Sequence, residues 1–201
     1  MESSSVMKKS SGSFKAFLSY TWQWYLLAAA AIAGIDYGIY AVSHTPKPEN
    51  TLSVFVGIKS MEYYQMEKDL YAAKYADTTI KKVSIDHSDP DDFYFGLVFS
   101  TRGVVITDII ILPSQYLGEE SYSTYFSPIA EGVLDNYVPN PIGWSDYENV
   151  HYGIALGDRL SRYGVGENYY AFFNKKSEKT GAVNPDSQND FALEALRWIY
   201  G

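Results

Sequence analysis

The sequence predicts an α/β domain with a mixed, mostly parallel sheet and flanking helices, preceded by one transmembrane helix. Three observations carry this prediction. From Thr51 to Pro113, β-branched apolar runs alternate with amphipathic stretches, an order that builds a parallel sheet through right-handed crossovers. The run "VVITDIIILP" (104–113) is apolar on both faces, as a central strand covered by helices on each side must be. Ahead of them stands "WQWYLLAAAAIAGIDYGIYAVS" (22–43), a mostly apolar stretch of about the 20 residues a bilayer span needs.

The elements follow in chain order. Residues 1–21 read as a cytoplasmic tail. Lys8, Lys9 and Lys15 stand there against Glu2, so the chain's net charge of −8 is concentrated after them as −10. Basic residues before a span and an acidic body after it place the N-terminus in the cytoplasm and the body outside. Trp22, Trp24 and Tyr25 at one end, with Tyr37 and Tyr40 at the other, suit the two interfaces of a bilayer. Two readings stay open here. Ala41-Val42-Ser43 also fits the small-residue cleavage site of a signal peptide. Asp36 either reaches headgroups near the outer end or pairs with a partner helix.

"HTPKPEN" (44–50) is a short, stiff linker with two prolines. The extracytoplasmic domain is then 51–201. "TLSVFVG" (51–57) is a buried strand ending in glycine. In "SMEYYQMEKDLYAAKYA" (60–76), Tyr63, Met66, Leu70 and Ala73 recur at helical spacing. "TIKKVSIDH" (79–87) reads as the second strand. "SDPDDFYFGLVFST" (88–101) opens a helix, with Ser88 or Asp89 as cap, Pro90 in the first turn, and Asp91 and Asp92 at the positive end of the dipole. Residues 104–113 form the third strand, which places Asp108 inside it. Residues 117–149 lose periodicity and read as loops with a short helix near Ile129 to Leu134. "VHYGIALGD" (150–158) and "ENYYAFFNKK" (167–176) are further strands. "NDFALEALRWIYG" (189–201) is a closing helix capped by Asn189 or Asp190.

Composition excludes several functions. The chain has no cysteine, so thiolate metal sites, disulfides and a Cys nucleophile are absent. An acidic body is a poor partner for nucleic acid. His44, His87 and His151 lie far apart, and no H-E-x-x-H, G-x-S-x-G or phosphate-binding glycine loop appears. The chain is therefore not expected to be an enzyme or to carry a cofactor. "DHSDPDD" (86–92) holds four carboxylates and an imidazole. Calcium takes several oxygen ligands, but this spacing is not that of an EF-hand, and the cluster reads better as a helix start.

Four stretches, "LSVFVG", "TRGVVITDIIILPSQYL", "VHYGIALGD" and "NYYAFFNKK", together resemble the type 2 extracellular solute-binding proteins of bacterial ABC importers, in particular the sugar-binding branch. They match its first strand, the entry to its third strand, a later strand, and the aromatic strand near the lobe crossover. The resemblance implies one lobe of a type 2 periplasmic-binding-protein-like fold, held at the cell membrane, binding a small polar solute such as a sugar. Its partners would be a transporter permease or a sensor protein. Members of that family are usually longer and close two lobes on the ligand, so a single lobe implies weak binding. The alternative is a non-catalytic protein–protein interaction module that uses the open face of the lobe.

Ligands of open α/β sheets bind beyond the carboxyl ends of the strands. That rule, with the resemblance, selects Gly57, Lys59, Ser114, Tyr116 and Asp158 as candidate ligand-binding residues, with Tyr63, Tyr116 and Trp144 as rings for stacking on a sugar. Each of these aromatics also reads as ordinary surface packing. Asp108 has two readings, a structural carboxylate bonding nearby loop backbone or part of a ligand rim, and the structural one is preferred.

Overall fold

The computed structural model describes residues 11–44, 47–116, 124–130, 132–135, 137, 143–145 and 151–201, with backbone alone for 11–23, 41, 43, 44, 116 and 143–145. It forms two compact units, Met1–Thr45 and Pro46–Gly201.

The first unit is one helix, α1 (Ser11–His44). Its described side chains include Trp24, Leu27, Ile32, Ile35, Tyr37 and Val42, all exposed. Among the described residues no helix is long and apolar enough to cross a membrane. The expected span, 22–43, runs past the unbroken stretch of described side chains, 24–40.

Among the described residues the second unit is built on six strands: β1 (Thr51–Gly57), β2 (Lys82–Ser88), β3 (Ile109–Pro113), β4 (Gly143–Ser145), β5 (His151–Ala155) and β6 (Tyr169–Phe173), in spatial order β2-β1-β3-β6-β5-β4. β1 lies parallel to both β2 and β3. β6 is antiparallel to β3, β5 to β6, and β4 to β5. The sheet is therefore mixed as expected, but not mostly parallel, because the second half is joined by reversals rather than helical crossovers.

Alternation along β1 explains the layering. Leu52, Val54 and Val56 face a cluster with Ile109, Ile111, Phe173, Met66, Leu70, Leu193 and Leu196. Phe55 faces the opposite way, with Ile110, Leu112, Phe126 and Phe172. The first face is covered by α2 (Tyr63–Leu70), which runs on through a wider turn to Tyr75, and by α5 (Phe191–Tyr200). These two helices are tied by Tyr75, whose hydroxyl donates to the Phe191 carbonyl at 2.6 Å. The second face is covered by α3 (Phe95–Val98), a wide turn Phe99–Gly103, and α4 (Val104–Ile106). Phe95 and Phe99 stack at 5.9 Å there. Phe93, Tyr94, Leu97, Val105 and Ile106 on this segment are exposed.

Several expectations are corrected. The third strand begins at Ile109 rather than Val104. Residues 104–106 are helical, because the Thr107 hydroxyl donates to the Gly103 carbonyl and the Asp108 N–H donates to the Ser53 carbonyl at 2.8 Å, turning the chain into the sheet only at that point. Asp108 is thus at the strand's entry, not inside it. The helix expected from Ser88 starts at Phe95. Asp89 Oδ1 accepts the Asp91 N–H and Asp92 Oδ1 accepts the Tyr94 N–H, so these aspartates make two successive local turns before the helix. Ile129 bridges to His151 as a strand residue, and 132–135 are turns. The remainder of the expected 117–149 loop region lies largely outside the described residues.

β2 is an edge strand, and its outward face is partly closed. Glu67 on α2 reaches across, and its Oε1 accepts the Ile85 N–H at 2.6 Å. A charged side chain on an edge amide is one of the devices that discourage pairing with another chain.

Candidate functional site

The strand directions decide where loops meet. β1, β2 and β3 run the same way, and two reversals return β5 to that direction. Pro113 pairs with Tyr169 and Ala155 with Tyr170, so the carboxyl ends of β3 and β5 share one edge with those of β1 and β2. Gly57, Lys59, Ser114, Asp158 and the backbone of Tyr116 all come to this edge. Lys59 and Asp158 are exposed, and Ser114 is half-buried. The side chains of Tyr116 and Trp144 lie outside the described residues.

Local contacts knit the loops of this edge. The Ser114 N–H donates to the Asn168 carbonyl at 3.3 Å, and the Glu62 N–H donates to the Tyr163 carbonyl at 2.9 Å. The second bond ties the loop after β1 to the loop after β5. Gly57 packs closely against Leu112. A Cβ there would stand 2.5 Å from Leu112 Cδ2, well inside van der Waals contact. A larger residue there would have to displace the Leu112 side chain, and the glycine offers a ligand only backbone.

His87 is the residue that sequence reasoning underweighted. It sits next to the end of β2, in register with Val56. Its ring lies 5.3 Å from the ring of Tyr63, at the start of α2. Its Nδ1 is buried and has no hydrogen-bond partner, which is uncommon for a buried polar atom and calls for a ligand, a water or a catalytic use. Beside it, Lys59 Nζ lies 3.9 Å from Asp89 Oδ2. The other buried side-chain atom without a partner among the described residues is Thr180 Oγ1. Thr180 is fully enclosed, at 0% exposure, whereas Tyr63 beside His87 is 43% exposed. Thr180 is thus enclosed, whereas His87 is half-buried and lies against a partly exposed ring. The available signal was its position at a parallel strand's carboxyl end, but the absence of a partner becomes visible only in the fold.

Asp108 belongs to the opposite edge. It is 4% exposed. Its Oδ2 accepts the Ser53 N–H at 2.9 Å, its Oδ1 accepts the Ser177 hydroxyl at 2.7 Å, and Lys179 Nζ lies 3.2 Å from both oxygens. Nearby, Asn174 Nδ2 donates to the carbonyls of Val104 and Thr107. The carboxylate is fully engaged in holding β1, β3 and the loop after β6 together. The expected structural role is the observed one.

Among the described residues no group of three or more His, Asp or Glu is placed to hold a metal ion. Of the 86–92 cluster, Asp86 and His87 lie in β2, and Asp89 and Asp92 make turns.

No family model and no curated protein matches this chain. Among solved structures it is similar to thiaminase I from Bacillus thiaminolyticus, at 15% identity and a TM-score of 0.32, over 52% of this chain and 28% of that one. The expectation that this chain is not an enzyme is withdrawn: nothing in the comparisons supports it, and the neighbour found is named as an enzyme. A likeness at this TM-score assigns no activity here. The chain spans well under a third of the length of that protein.

Proposed function

We propose that this chain is a membrane-anchored, extracytoplasmic solute-binding domain, one lobe of a type 2 binding-protein-like fold, that holds a small polar solute such as a sugar at its open edge and serves an importer permease or a sensor. One observation carries the reading. The buried, unpartnered Nδ1 of His87 lies at the carboxyl edge of the parallel strands, where ligands of open α/β sheets bind. The resemblance of the strand sequences to solute-binding proteins supports it. The membrane anchor is supported by α1, whose described side chains, Asp36 aside, are apolar or small from Trp24 to Tyr40. A helix apolar on all sides belongs in a bilayer or against a partner. The residues flanking that stretch extend it to 22–43.

A single open edge leaves much of a ligand in water, so binding is weak. Calorimetry of the full chain against sugars, amino acids and short peptides should find dissociation constants near the millimolar range, about −4 kcal/mol. Nanomolar binding, or none to any of these, contradicts the reading. Protease added to sealed cells should remove the acidic body while an N-terminal tag survives. The reverse pattern overturns the orientation.

A further inference from the structure

We propose that the His87 edge takes a small primary-amine cation, with the ammonium donating to His87 Nδ1 over the Tyr63 ring. This rests on the reading of the carboxyl edge as the binding edge and adds the charge of the ligand.

Three features converge. The first is the unused hydrogen-bonding capacity of the imidazole. In the tautomer that carries its proton on Nε2, Nδ1 is a lone-pair acceptor, buried and without a protein donor. An ammonium brings three donors to such an atom. The second is the ring beside it. Tyr63 stands 5.3 Å from His87, tilted by 41°, and is 43% exposed, so part of its surface is open to a cation. The third is the local charge. In the two segments that frame His87, 58–63 and 86–92, Glu62, Asp86, Asp89, Asp91 and Asp92 are acidic and Lys59 alone is basic. Lys59 already lies 3.9 Å from Asp89, which leaves an excess of negative charge. Such an excess in the segments around His87 disfavours an anionic ligand and favours a cation.

The test uses the full chain in a neutral detergent, labelled with 15N in the imidazole rings. The chain has three histidines, so each ring is resolved by substitution. Ethanolamine, glucose and acetate are titrated in turn to tens of millimolar. Ethanolamine should move the His87 Nδ1 resonance while His44 and His151 stay still, and acetate should move none. Tyr63→Leu should weaken the ethanolamine response severalfold, and His87→Phe should abolish ethanolamine binding measured by calorimetry. Tyr63→Leu, a change at a half-open position, keeps the test alive if the His87 variant does not fold. If glucose moves His87 and ethanolamine does not, the edge binds ligand but the cation assignment is wrong. If acetate binds there more tightly than ethanolamine, the charge argument is overturned. If none of the three moves His87, both this proposal and the binding edge beneath it fall.

Discussion

The two ends of the sheet hold polar groups in opposite conditions. At the entry to β3, Asp108 is buried and every oxygen is engaged, by Ser53, Ser177 and Lys179. At the far edge, His87 presents a buried nitrogen with no partner beside a loosely held Lys59–Asp89 pair. A closed polar network fixes architecture, because each member is already satisfied and has nothing to offer a solute. An incomplete one is where a ligand can bind. The same residue types thus do different work, and the bookkeeping of hydrogen bonds separates them where charge alone does not.

The contrast can be broken most severely at the closed end. Asp108→Ala leaves the Lys179 ammonium, whose side chain is 12% exposed, without its counter-charge, and should lower the unfolding free energy in urea by about 3–5 kcal/mol. Lys179→Met should cost clearly less, since Asp108 keeps the Ser53 and Ser177 bonds. Equal losses would mean that the carboxylate is not the centre of this network.

A smaller effect is expected at Gly57, the last residue of β1 at the open edge. Gly57→Val places new carbons against Leu112, whose Cδ2 would lie 2.5 Å from the added Cβ. Overpacking of this kind costs about 1–3 kcal/mol, and the loss should be read in the same urea transition. It should also disturb the binding edge, which the Asp108 network does not adjoin.

Alkaline pH sharpens the comparison through two tyrosines of the loops and helix near the open edge. Burial, followed by the hydrogen bond that its hydroxyl donates to Asp69 at 2.8 Å, pushes the Tyr163 pKa up to about 12. Burial pushes Tyr200 up to about 12 as well, and its hydroxyl donates to the Ala155 carbonyl. The folded state therefore holds these protons more tightly than the unfolded chain, whose tyrosines lose them near 10. The stability from both groups is intact below pH 10 and declines as pH rises from 10 to 12. Tyr163→Phe should flatten that decline, as followed by thermal unfolding across the range.

The smallest effect should come from Lys59→Ala. Lys59 is 85% exposed in its side chain and its partner Asp89 is 3.9 Å away, so stability should change by less than about 1 kcal/mol, while any ligand response at the edge should change measurably.

Much of the fold was legible in the sequence. The β-α-β-α-β order from Thr51 to Pro113 follows from period and turn residues; the run of β1 read correctly as buried and that of β3 as central. Val104 to Ile106 misread as strand because β-branched residues suit strands, yet the Asp108–Ser53 and Thr107–Gly103 bonds keep them helical, and those are visible only once the chain is folded. Ser88 or Asp89 reads as a helix cap and Asp91 and Asp92 as first-turn residues, because an Asx turn and a cap share one signature, yet Asp89 and Asp92 make turns ahead of the helix. The direction of β6 against β3 has no marker in residues 167–176, so the share of parallel pairing was overstated. The positions of Gly57, Lys59 and Ser114 at one edge were legible from the strand ends, and that of Asp158 from the resemblance. His87 was not singled out, since the absence of a partner is a property of the packed structure and not of any motif.

The most direct test is a backbone amide map of the full chain titrated with glucose and with ethanolamine in turn. The account predicts that the shifts gather at 57–63, 87–92 and 114–116 for at least one of the two. Shifts centred on Asp108 and 174–180, or no localised shifts with either, would contradict it.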